Sequence, residues 1–151
     1  MASSNSYVPA FPSDHAVDER VKKFIARFYA TSDDPSKNEE WVDYFLPNAV
    51  VIIGDKSAKG TEEIRRLRQG MWEQVERRKH RPEKVFPASF EGTARDSEAI
   101  AAEYMLHGSL DVVTKSGEQQ TVSWAGRAVL KEDEGQLKYA LYQVYLHKKP
   151  T

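Results

Sequence analysis

The chain has no cysteine. That absence excludes a disulfide framework, a thiolate nucleophile and a thiolate zinc site, and it suits a reducing compartment. Charge of one sign is also missing: the formal net charge is -1, so no overall field draws in nucleic acid or an acidic membrane surface. No apolar run approaches the roughly 18 residues that would span a bilayer. Met1 to Ser13 lacks the basic start and apolar stretch of a secretory signal. The four histidines, His15, His80, His107 and His147, show no metal-ligand spacing. No phosphate-cradling glycine loop and no G-x-S-x-G elbow occurs. The expectation is a cytoplasmic protein with no metal, no cofactor and no nucleic-acid or membrane partner.

What is present fits one domain of ordinary size: 151 residues, 40% apolar and 30% charged. Residues 1–16 read as a flexible arm and 17–148 as the domain. Whether Tyr7, Val8 and Phe11 dock the arm onto the body is open. Val17, Val21, Phe24, Ile25 and Phe28 recur at helical spacing, with Asp14 or Asp18 as a start signal. Asp33-Asp34-Pro35 breaks that helix. Ser36 and Glu39 have capping-box spacing for a short second helix bearing Trp41 and Phe45, which Pro47 ends.

Ala49 to Ile53 is a β-branched run, read as a strand. Gly60-Thr61 opens a third helix with Ile64, Leu67, Met71 and Val75 inside and Arg65, Arg66, Arg68, Glu73 and Arg77 mostly outside. Gly70 within it suggests close packing or a pocket wall, because glycine there costs about 1 kcal/mol against alanine. From His80 the period becomes extended. Strands are placed near 80–91, 97–108, 119–131 and 136–147, with turns at Gly92-Thr93, Ser116-Gly117-Glu118 and Asp133-Glu134-Gly135. This order predicts an α+β fold, three helices packed on a curved, mainly antiparallel sheet. Both alternation sets of the last strand are apolar, so the outer sheet face is expected to be covered by a second copy in a homodimer.

Particular stretches carry a family resemblance: F-I-A-R-F-Y-A in the first helix, E-W-V-D-Y-F-L-P-N-A-V-V through the second helix and first strand, and G-T-E-E-I in the third helix. R-R-K-H and G-Q-L-K-Y-A-L-Y-Q-V-Y in the long strands continue it. Together they resemble the SnoaL-like members of the nuclear transport factor 2-like superfamily over Val17 to His147. The resemblance implies a cone-shaped fold around a pocket for a small apolar molecule. It also implies cofactor-independent proton-transfer chemistry, an isomerase, cyclase or dehydratase of secondary metabolism, or a non-catalytic binding module of the same fold. The ketosteroid isomerase positions hold Phe24, Ile53 and Gly126, so that mechanism is absent. The scytalone dehydratase-like pattern matches better: its strand histidine corresponds to His80 and its second histidine to Glu103, while the tyrosine expected near Ile53 is missing.

His80 is therefore the candidate base, since imidazole is readily poised near neutral pH. Its plain alternative is a helix-end histidine. Glu103, in I-A-A-E-Y-M-L, is the candidate acid partner if it faces His80. Strand alternation equally allows Ile100, Ala102, Tyr104 and Leu106 to be the inner set. Arg127, in an apolar strand, could hold a developing oxyanion, and His107 is a weaker candidate. Phe28, Trp41, Phe45, Met71, Trp72, Met105, Trp124 and Tyr142 are candidates for the pocket wall, although such residues are more often simply core.

Overall fold

Asp18 is the start signal in use. Its carboxylate accepts from the Arg20 amide at 2.8 Å and caps helix α1, Glu19–Ser32. The apolar stripe of α1 buries Val21, Phe24, Ile25 and Phe28, as the spacing requires, and Tyr29 with them. The computed structural model describes residues 4–14, 16–90 and 100–147. Helix α2, Asn38–Val42, follows the Asp33-Asp34-Pro35 break. The expected capping box does not form. The Ser36 amide and hydroxyl both turn back to Asp34 Oδ1, at 2.9 and 2.6 Å, and Glu39 pairs with Arg65.

Strand β1 is longer than the β-branched run and covers Phe45–Ile53, so Pro47 lies inside a strand rather than after a helix. A short strand β2, Lys56–Lys59, was not anticipated. Helix α3 spans Thr61–Gly70. It leaves the turn at Gly60, whose φ of 84° favours glycine. Gly70 serves no close approach, since a Cβ there would meet nothing within 4 Å. The long strands are β3 Val75–Ala88, β4 Ile100–Thr114, β5 Gln119–Asp133 and β6 Gln136–His147. Val75 thus opens a strand instead of closing a helical stripe, and His80 sits inside β3 rather than at its start. The turns at 116–118 and 133–135 are found as expected, whereas Gly92-Thr93 lies outside the described residues.

The six strands form one sheet in the order β2-β1-β6-β5-β4-β3, antiparallel except for β1 beside β6. Register shifts on four of the five pairings bend it. The helices cover one face, and the fold is the α+β arrangement expected. Where β3 shifts at Pro82, Gly108 of β4 lies so close that a Cβ would be 2.3 Å from the Arg81 carbonyl oxygen. Only glycine lets the two strands meet there. Among the described residues no helix is long and apolar enough to cross a membrane.

Candidate active site

Strand alternation decides which side chains enter the interior. On β3, His80 points toward the helices, and on β4 the inner set is Ala102, Tyr104 and Leu106. Glu103, Met105 and His107 therefore face outward. In register, His80 lies opposite Leu110 while Glu103 lies opposite Ala88, eight residues along the strand. The structure does not bring Glu103 and His80 together. Glu103 instead accepts from Arg127 Nη2 at 3.2 Å on the outer face. Arg127 is correspondingly absent from the interior, and His107 stacks on Phe86 beside Glu83.

The partner of His80 is Asp33, which the Asp33-Asp34-Pro35 pattern marks only as a helix breaker. His80 Nδ1 is 2.6 Å from Asp33 Oδ1, and the His80 backbone N–H donates to Asp33 Oδ2 at 2.8 Å. Asp33 Oδ2 also accepts from the Tyr7 hydroxyl at 2.8 Å. A carboxylate is an acceptor only, so the Nδ1–H donates to Asp33, and in the neutral ring Nε2 then carries the lone pair. Among the described residues Nε2 has no hydrogen-bond partner. The His80 side chain keeps 12% of its surface exposed and that of Asp33 6%. The ring lies 5.1 Å from Tyr29 and 5.8 Å, edge-on, from Trp124.

Asp33 is held in place by Arg68. This arginine was expected outside α3, yet it is 0% exposed. Its guanidinium donates to the carbonyls of Thr31, Ser32 and Asp34 and to Asn38 Oδ1. Those carbonyls end α1, where free acceptors and the negative end of the helix dipole favour a cation. Burial is the main influence that lowers the Arg68 pKa, to about 10, with the Arg78 charge beside it acting the same way. Arg68 therefore remains charged near neutrality. Trp72 lies 5.3 Å from both guanidiniums, and Arg78 also donates to the Met71 carbonyl. Trp72 and Met71 thus belong to a cationic support behind Asp33, and no contact places them against His80.

The aromatic candidates divide in the same way. Phe28, Trp41 and Phe45 are solid core: Phe28 touches Tyr29, Trp41, Tyr44, Phe45, Tyr139 and Tyr142, and the Trp41 indole donates to Ser32 Oγ at 2.9 Å. Met105 is 40% exposed on the outer face. Trp124 and Tyr142 do belong to the interior. The Tyr142 and Tyr29 hydroxyls are 3.0 Å apart. Trp124 Nε1 and the hydroxyls of Tyr104 and Tyr139 are sealed from solvent without a hydrogen bond of normal geometry. The two hydroxyls are nonetheless near enough to influence each other's titration. Burial, above all, pushes Tyr29, Tyr104, Tyr139 and Tyr142 well above the usual tyrosine value. At pH 7 these groups are neutral O–H donors, never bases.

A buried donor without an acceptor costs about 1–3 kcal/mol, and an oxygen atom of a guest or a water would satisfy Trp124 Nε1. A cleft of about 390 Å³ is lined by Tyr104 with Val17, Val21, Val85, Pro87, Ala102 and Glu103, and neither His80 nor Trp124 lines it. Among the described residues no group of three or more histidine or acidic side chains is placed to hold a metal. Helical spacing puts Asp33 four residues after Tyr29 on the buried face of α1, but no local pattern pairs it with His80.

No family model matches the chain, and no curated protein sequence matches it significantly. Solved structures do. A candidate scytalone dehydratase from Novosphingobium aromaticivorans superposes with a TM-score of 0.72 at 10% identity, over 88% of this chain and 87% of that one. A type 2 hexachlorocyclohexane dehydrochlorinase gives 0.70 at 10% identity, over 87% and 88%. Nuclear transport factor 2 from Cryptosporidium parvum gives 0.63 at 14% identity, over 86% and 94%. With its six-stranded curved sheet and three covering helices, the chain has the nuclear transport factor 2-like fold.

Proposed function

We propose that this protein is a cofactor-independent enzyme that removes a proton from carbon in a small, largely apolar molecule and eliminates a leaving group or moves a double bond. The observation that supports this best is the Asp33–His80 pair facing an aromatic interior with Nε2 unpartnered. His80 Nε2 takes the proton from an acidified C–H. The C–H electron pair becomes a new π bond, and either a leaving group departs with its electron pair or a neighbouring carbonyl becomes an enolate. The imidazolium is steadied by Asp33, then returns the proton to the leaving hydroxide or to another carbon. Trp124 Nε1–H and the Tyr104 or Tyr139 hydroxyl donate to the oxygen on which charge develops. The names of two structural neighbours, a dehydratase and a dehydrochlorinase, both denote eliminations, which favours elimination over cyclisation.

On this reading the guest is a cyclic metabolite with at least one acceptor oxygen, of the secondary-metabolite kind, and the protein acts in the cytoplasm as a homodimer. Support for the dimer is the outer sheet face, where Phe86, Met105 and Tyr145 stand 53%, 40% and 48% exposed. Light scattering that finds a monomer at micromolar concentration removes the dimer alone.

One observation favours a non-catalytic binding module: the second proton-transfer group expected on β4 faces away from His80. The two readings separate in one assay. Cyclic β-hydroxyketones are offered in D₂O, with absorbance following the conjugated product and mass spectrometry following deuterium at the acidic carbon. The enzyme reading expects turnover that falls about 10²–10⁴-fold in His80→Gln. Binding without elimination or exchange supports the module, and a fully active His80→Gln variant overturns the proposed base.

A further inference from the structure

We infer that Tyr7, carried by the segment before α1, is a positioning residue for the Asp33–His80 pair, and that docking of this segment on the edge of β3 completes the site. The inference rests on the reading of His80 as the base. Apart from the two donors of His80 itself, the Tyr7 hydroxyl is the one hydrogen-bond donor to the Asp33 carboxylate among the described residues. With it, Oδ2 is held by two donors and Oδ1 is left to the imidazole. The carboxylate cannot rotate without breaking one of three short bonds. Burial first, and the Asp33 charge second, push the Tyr7 hydroxyl far above its usual pKa, so it stays a donor.

The segment is built to deliver this ring. Ser4–Tyr7 makes a single 3-10 turn, Lys79 Nζ lies 3.6 Å over the Tyr7 ring and donates to Ser6 Oγ at 2.7 Å. Ala10 then pairs with the outer edge of β3: its N–H donates to the Glu83 carbonyl at 2.8 Å, and the Val85 N–H donates to the Ala10 carbonyl at 3.0 Å. That contact falls at the register shift of β3 between Pro82 and Lys84, three to five residues past His80, where the edge would otherwise show unpaired backbone groups. A phenylalanine would fill the same space at position 7. The hydroxyl is useful there because of what it points at.

The test reads the imidazole directly and needs no substrate. Full-length protein labelled with ¹⁵N at histidine is titrated by NMR. In Tyr7→Phe, with circular dichroism unchanged, the His80 midpoint is expected to rise by about half a pH unit, because a carboxylate deprived of a donor holds the imidazolium more strongly. The charges that also face this carboxylate, on Arg68 and Arg78, are the same in both proteins. Ala10→Pro, which deletes the N–H bonded to Glu83, is expected to move the midpoint the same way by less. An unchanged His80 midpoint and tautomer in Tyr7→Phe overturns the inference, whatever happens to thermal stability. Should Tyr7→Phe fail to fold, Ala10→Pro decides in the same terms. A catalytically competent His80→Gln variant would remove the proposed function yet leave this result standing.

Discussion

The two faces of the sheet each pair a carboxylate with a nitrogen base or cation at a sequence-predicted site residue, and the pairs could hardly be more different in setting. Inside, Asp33 and His80 meet at 2.6 Å with 6% and 12% of their side chains exposed. Outside, Glu103 and Arg127 meet at 3.2 Å with 19% and 44% exposed. Both pairs combine a carboxylate with a nitrogen cation or potential cation, and a list of charged contacts would not tell them apart. Solvent does. Water and salt screen the outer pair, whereas the inner pair works in a low-dielectric interior that strengthens each interaction and penalises each unmade one. A proton-transfer group belongs where its protonation state is governed by its neighbours rather than by bulk water.

The sharpest way to break this comparison is Asp33→Asn. The carboxylate serves three donors, Tyr7 O–H, His80 N–H and His80 Nδ1–H. An amide offers one acceptor oxygen and sets an N–H₂ against a donor, so His80 loses the partner that fixes its tautomer. Turnover of any substrate identified for the wild type is expected to fall about 10²–10⁴-fold, with the KM changing much less. Equal activity in the two proteins would show that the inner pair is structural, like the outer one.

Next in size is Arg68→Leu. Leucine replaces some of the packing but leaves the Thr31, Ser32 and Asp34 carbonyls without their donor in a buried place. The loss is expected to be about 3 kcal/mol or more, a fall of roughly 10 °C in the melting temperature for a domain of this size. A loss below about 1 kcal/mol would mean that the α1 end does not depend on this cation.

These two residues also show where the sequence could be read and where it could not. The stripe of α1, the turns at 116–118 and 133–135 and the helix-then-sheet order were legible because each is a local pattern with a local cause. His80 was legible only through resemblance. Charge alone places Arg68 in solvent, although Ile64, Leu67, Arg68 and Met71 follow helical spacing and put it on the buried stripe. What buries it is the carbonyl end of a different helix, which no pattern in α3 announces. Asp33 looked like a stop signal, and it is one: its N–H closes α1 on Tyr29 O at 3.2 Å. Its second task depends on a strand residue 47 positions later, brought there only by the tertiary fold. The alternation of β4 left two inner sets open, and the structure selects the one with Tyr104. It sends Met105 outward along with Glu103.

The smallest effect is expected at the outer pair, and a double-mutant cycle measures it. Glu103→Gln, Arg127→Met and the double variant are compared for stability and for turnover. The pair has one contact of ordinary length and a largely hydrated arginine, so the coupling energy is expected below about 1 kcal/mol and to shrink further in 1 M salt. Turnover should stay within about twofold in all three, because neither side chain contacts His80 or Asp33. If the homodimer forms through this face, the same variants should instead change the monomer–dimer balance seen by sedimentation, since a pair buried by a partner is no longer screened. A large loss of turnover in Glu103→Gln without a change in assembly would contradict the division between the faces, because it would require the outer carboxylate to act through the sheet.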